Sequence, residues 1–375
     1  MLIDKRTLLK NALLLSSTNF LAELAWAEQV HFNHNKIEVY ASALTHIDGK
    51  HYIALFDENG TILWKKELTD RAHAPIFHPS LAIVGVVARR PGFYLNLYDM
   101  NSAAKIVEIA PTKHHHFYGH GLFTTTGEWL VTPENHYPSG QGKIFIRDWR
   151  NNTVTSQFPS YGIGPHEIHF LNKDVLVVAN GGLQTHPNND RRIVNIDSMK
   201  PNLAFISIST GKLLKKLELP VEWQQLSIRH MDINQFGEIV VGFQYQGKAS
   251  DDMPLVGHAS FEDTKINILD MPPQIKQRFR QYCGSVTFDK SGKLLAISSP
   301  RGGIVAYWDM ETRRYFEHHN YGDVCGIAPT SEKNCFLLTT GQGKRVIVNP
   351  INDQKITLAA MNQYQWDNHI HRLST

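Results

Sequence analysis

The chain has 375 residues, with 38 Lys+Arg against 35 Asp+Glu and a formal net charge of +3. Apolar residues make up 42% and charged residues 19%, a globular composition that excludes a disordered or collagen-like chain and leaves no cationic excess for a nucleic-acid backbone. Three Cys exclude a disulfide framework, whereas 20 His exceed what a core of this kind uses.

The first 27 residues read as an export signal. Lys5 and Arg6 form a short basic region, and an apolar stretch runs from Leu8 to Leu15 and on through Phe20-Leu21-Ala22. Ala25-Trp26-Ala27 places small residues where a signal peptidase reads them, which predicts cleavage before Glu28 and a mature domain over 28–375. Asn11 and Ser16-Ser17-Thr18-Asn19 break the apolar part, so it is no membrane span and the mature chain has none. Asp4 to Lys10 is similar to a twin-arginine signal with Lys in place of the first Arg, leaving the Tat and Sec routes both open.

Beyond residue 36 the chain is short apolar runs punctuated by Gly, Pro, Asn and Asp, an all-β pattern. Strands ending in a turn residue recur at Asp57, Asp99, Asp148, Ser209, Asp270, Asp309 and Asn349. Between them lies a turn followed by an apolar strand, as in Thr126 to Val131, Asn172 to Val178, Phe236 to Val241 and Ser291 to Ile297. Units of roughly 40–60 residues, each about four strands, are the blade period of a β-propeller. Seven markers predict seven blades in one domain. The strand near Ile37 to Tyr40 is expected to complete the last blade and close the ring, because closure removes the exposed sheet edges.

The innermost strand of each blade should directly precede the apolar strand. That slot holds His73, Gly119-His120, Pro165-His166-Glu167, Arg229-His230-Met231-Asp232, Cys283 and Cys325. Four His and two Cys at one level converge on the channel axis, where imidazole and thiolate suit iron, copper, zinc or an axial position on haem. A hydrogen-bonded His in a polar channel accounts for any one of them equally. His114-His115-His116 reads either as a further collector of metal, with His116 and His120 on one strand face, or as a solvated loop. No C-x-x-C or H-E-x-x-H spacing is present.

Turns expected at the same mouth carry Arg89-Arg90-Pro91-Gly92, Glu134-Asn135-His136, Asn180 to His186, and Arg301-Gly302-Gly303. Turn chemistry explains their Gly, Pro and Asn but not Arg89, Arg90, Arg229 and Arg301 beside the His. Guanidinium groups at a concave mouth suit a carboxylate, either of a ligand or of an internal partner such as Glu134 or Asp232. Glu134, Asn180 and His186 join the Arg as candidate ligand contacts. The long stretches Leu183 to Asn202 and Gly247 to Glu262 read as surface loops or a lid. Cys283 and Cys325 are buried thiols, a disulfide or ligands, in that order, and Cys335 is core. There is no G-x-S-x-G elbow.

These segments in order resemble one exported bacterial propeller family, the family of unknown function numbered fifteen-thirteen. The likeness is carried by Arg89-Arg90-Pro91-Gly92, His116-Phe117-Tyr118-Gly119-His120-Gly121, Gly164-Pro165-His166-Glu167, Ala179-Asn180-Gly181-Gly182 with Thr185-His186-Pro187, Ser227-Ile228-Arg229-His230, and Ser299-Pro300-Arg301-Gly302-Gly303. It departs at Lys5-Arg6 and at His114-His115, where family members typically carry Gly-Arg. The resemblance implies a periplasmic seven-bladed propeller, similar to WD-type and quinoprotein dehydrogenase-like folds. It also implies genes beside those of imelysin-type proteins and di-haem oxidoreductases, hence a part in iron or haem handling, and no established reaction. Tryptophan-docked blades are not evident, which argues against pyrroloquinoline quinone.

The reading that follows is a non-enzymatic periplasmic propeller holding a transition metal, haem or a partner that carries one. Metal ligands are expected among His73, His116, His120, His166, His230 and Cys325. A metal-dependent hydrolase or oxidoreductase at the same mouth, and an interaction scaffold with structural His, are the alternatives.

Overall fold

A computed structural model describes residues 37–189 and 192–373; the expected export signal lies outside them. Seven antiparallel sheets stand in a ring, so the chain is a seven-bladed β-propeller. Blade II shows the pattern: Ala72–Phe77 innermost, then Ile83–Ala88, Leu95–Asp99 and Lys105–Ile109. The inner strands of blades III to VII are His115–Phe117 with Leu122–Phe123, Pro165–Phe170, Leu226–Ile233, Ser285–Phe288 and Val324–Pro329. Burial falls from the second strand outward: Ile83–Ala88 is wholly buried, whereas the outermost Gln354–Thr357 is wholly exposed. Alternating apolar residues of the middle strands fill the space between blades, which is why those strands read as nearly continuous apolar runs.

Two expectations are corrected. The ring is closed by the C-terminal strand Tyr364–Arg372, which is the innermost strand of blade I and pairs with Val39–His46. The last blade, Val324–Thr357, is complete without help. In blade V the marker Ile266 to Asp270 is the outermost strand, Asn267–Ile268. The third strand is Val256–Ala259, inside the stretch expected as loop. That strand has four residues, one of them Gly257, too short to show an alternating pattern.

Inner strands carry irregularities at one level. Pairing shifts between Ala72 and Pro75, between Pro165 and Glu167, between Ile228 and His230, and between Val324 and Ile327. In blade I the shift opposite Ser42 to Leu44 spans Asp367 to His369, and in blade III the strand is broken over Tyr118 to Gly121. Bulges add a residue and re-aim side chains, so neighbours that a regular strand would send to opposite faces can both turn into the channel.

Candidate functional site

Five of these irregularities deliver a His to the axis: His369, His73, His120, His166 and His230. Their rings touch across the channel. His73 lies 4.4 Å from His369 and 5.0 Å from His120, centroid to centroid, and His166 lies 4.7 Å from His120 and 5.0 Å from His230. All five are buried. Glu167, brought inward by the bulge at His166, puts Oε1 3.7 Å from His120 Nδ1 and Oε2 3.4 Å from His230 Nδ1. Three overlapping donor triads result: His73/His120/His369, His73/His166/His230 and His120/Glu167/His230, each with ligand atoms within 4.8 Å of one another.

The surroundings set the donors. Asp367 accepts from His73 Nδ1 at 2.9 Å and from Arg71 Nε at 2.7 Å, so the His73 proton sits on Nδ1 and its Nε2 lone pair is free. The Ser42 hydroxyl donates to the His369 carbonyl at 2.7 Å and pins the bulge that carries that ring. Gly119 has φ +102, and a Cβ there would lie 2.7 Å from His73 Cδ2, so only glycine lets the break in blade III pass so close to the ring. Among the described residues His120 Nε2, His166 Nδ1 and His369 Nε2 have no hydrogen-bond partner. Each such buried nitrogen costs about 1–3 kcal/mol unless something satisfies it.

Burial keeps four of the imidazoles, those of His73, His120, His166 and His369, neutral, the form that binds metal. It lowers His73 to about 4 and holds His120, His166 and His369 well below 6.5, with the neighbouring imidazoles adding to the effect. Burial would raise Glu167, but the attraction of His120, the hydrogen bond with His169 and the close His230 ring outweigh it, so the carboxylate stays ionised. Asp367 is likewise held low, its burial outweighed by His73 and the nearby Arg. His169 is the exception: burial opposes its charge, yet its contact with Glu167 raises it.

The cluster divides the channel. On one side a cavity of about 370 Å³ is floored by His73, His166 and His230 and walled by Arg89, Arg90, Arg229 and Arg301. Arg229 is the extra residue of its bulge, which is why it and His230 both face this mouth. Burial and the charge of Arg90 pull its guanidinium down to about 9, still protonated at neutral pH. Arg301 stacks on Tyr282, 4.3 Å from the ring centroid. On the other side a cavity of about 400 Å³ meets Glu167, His169, Asp232, His369 and His371.

Four of the six expected metal ligands thus meet. His116 and Cys325 do not. His116 spends both nitrogens, donating to the Phe117 carbonyl at 3.0 Å and accepting from Asn135 at 3.1 Å. Cys325 Sγ donates to the Asp323 carbonyl at 3.0 Å, and burial raises its thiol far above the usual range. Cys283 and Cys335 are also free thiols, so no Cys283–Cys325 disulfide forms. The His triplet disperses: His114 is exposed, while His115 packs on His136 and Phe145.

Of the expected ligand contacts, the four Arg line the mouth and the others do not. Glu134 lies inside Leu130–His136 rather than in a turn, fully buried and paired with Arg147. Asn180 donates to Asn202 on the next strand of its blade and to the Ser160 carbonyl in the connection from the preceding blade, and His186 packs on Tyr137. Sequence reasoning missed His369 and Asp367. The signal was available: the strand ending at Asp57 has no His-bearing inner strand before it, and Trp366-Asp367-Asn368-His369 is the unassigned candidate.

A seven-bladed propeller with a buried imidazole–carboxylate cluster between two cavities is therefore the class that fold and site define. The family model described as "Protein of unknown function (DUF1513)" matches residues 66–373, and the chain belongs to that family. No curated protein matches the sequence. Among solved structures it is similar to a chain of one described as "Crystal Structure of Mitotic Checkpoint Complex". The TM-score is 0.59 at 11% identity, covering 80% of each chain, a likeness of fold alone. No helix among the described residues is long and apolar enough to cross a membrane.

Proposed function

We propose that this protein is a metal-holding propeller of the periplasm, in which a transition-metal ion sits on the channel axis among His73, His120, His166, His230, His369 and Glu167. One observation carries the reading: three donor triads share residues within a single buried cluster, with an ionised carboxylate and the imidazoles of His73, His120, His166 and His369 held neutral. Imidazole nitrogen with one carboxylate suits zinc, iron or copper. Asp367 behind His73 is the outer carboxylate that orients such ligands. The donors fit an ion better than haem, because rings 4.4–6.1 Å apart across the axis leave no slot for a porphyrin plane. Export rests on the basic, apolar and small-residue order of residues 1–27. A partnership with imelysin-type or di-haem proteins rests on the family resemblance. Binding without turnover is the leading role, since no nucleophile–base pair accompanies the cluster among the described residues.

The test is metal content and visible spectrum of untagged protein, with a His120→Ala/His166→Ala/His230→Ala variant alongside. About one equivalent of ion per chain, lost in the folded variant, is expected. Metal-free protein that takes up no zinc, cobalt or copper on titration would overturn the reading.

A further inference from the structure

The cavity over His73, His166 and His230 has a charge imbalance that the metal reading does not explain. Its lining includes Arg89, Arg90, Arg229 and Arg301, and no Asp or Glu is among the residues lining it. Arg229 is only 9% exposed, and its Nε and one terminal nitrogen, Nη1, have no hydrogen-bond partner among the described residues. A buried cation without a counter-charge is costly to maintain, and a cation in the neighbouring cluster would add to the cost. Guanidinium is the side chain whose paired donors match an oxyanion, and Arg229 presents unpartnered donors at this cavity.

The remaining lining narrows the ligand. The lining is mostly polar, with a smaller aromatic and aliphatic part to which Tyr282 and Ile193 belong, and the Tyr118 hydroxyl is already donated to the Leu183 carbonyl. A bare inorganic ion would leave that smaller part, and most of the volume, unused. The volume of about 370 Å³ lies at the low end of small-molecule pockets and equals the liquid volume of about a dozen waters.

We infer that this mouth binds a small organic oxyanion, a carboxylate or phosphate ester of a few carbons, clamped by Arg229 with its inner end against the imidazole floor. The site stands on Arg229 and its cavity; it rests on the metal reading only in placing that inner end beside an ion.

Calorimetry at low salt on chelator-stripped full-length protein tests it, with citrate, 3-phosphoglycerate, inorganic phosphate and uncharged glycerol as probes. Citrate or 3-phosphoglycerate is expected to bind, whichever is tighter naming the head group, with phosphate at least tenfold weaker and glycerol silent. Arg229→Gln should weaken the tighter probe at least tenfold. Without anion its melting temperature should equal or exceed the parent's, because the uncompensated charge is gone. Arg301→Gln, at an exposed position, should weaken binding severalfold and carries the test should the first variant not fold. Neither organic anion binding, phosphate binding as tightly as either of them, or both variants binding like the parent, would overturn the inference. Repeating the titration with zinc present keeps the two claims apart: zinc should tighten the anion if both hold, whereas a chain that takes no zinc but still binds anion through Arg229 upholds this site alone.

Discussion

His73 shows how one side chain acquires a role from its surroundings. Its Nδ1 proton is held by Asp367, which also holds Arg71, and its edge lies under Gly119. Asp367→Asn would keep the shape and lose the charge that fixes the tautomer, so metal affinity should fall by about 10–100-fold with little change in fold. Competition against a chromophoric chelator measures this; an unchanged affinity would make the pair merely structural. The same scale explains which site residues were legible. His73, His120, His166 and His230 recur in one slot of a repeat, so counting from the apolar strands found them. Glu134 and Asn180 also looked like mouth residues. Their true partners, Arg147 and Asn202, lie on the adjacent strand, and nothing in the spacing distinguishes an internal acceptor from a ligand contact.

At the scale of elements, the propeller was readable because each blade repeats a turn and an apolar middle strand, whereas closure was not. Ring closure depends on which terminus reaches the first blade, and both ends offer β-forming runs. The chain resolves it by pairing Tyr364–Arg372 with Val39–His46, which moves His369 and Asp367 to the axis. The bulges were equally hidden, since they depend on pairing register and not on composition. Their effect is large. Without the shift at Arg229, alternation would send either Arg229 or His230 away from the channel, and the anion mouth and the imidazole floor could not share a strand. The weak strand Val256–Ala259 was missed for a simpler reason, its four residues falling below any periodic signal.

For the whole molecule, the buried imidazoles make acid sensitivity a global property. In the unfolded chain they take protons near 6.5; folded, His73 and His371 stay neutral to about 4, and His120, His166 and His369 also stay well below 6.5. Between those values the unfolded chain binds more protons. Stability of the metal-free protein is therefore fully present above about pH 6.5 and is lost as pH falls toward 4. His73 alone would contribute about 3 kcal/mol, and His169, raised by Glu167, offsets a little of the total. Denaturant midpoints taken from pH 7.5 to 4.5 after chelation should fall steadily below 6.5. A flat profile would mean that the cluster is already protonated in the fold.

The central claim is that the axis cluster is a metal centre, and anomalous diffraction from crystals of metal-loaded protein tests it most directly. One strong peak is expected on the channel axis, bonded to nitrogens drawn from His73, His120, His166, His230 and His369, with or without Glu167. A peak confined to His114, His115 and His136, or an axis without anomalous signal at saturating metal, would contradict it.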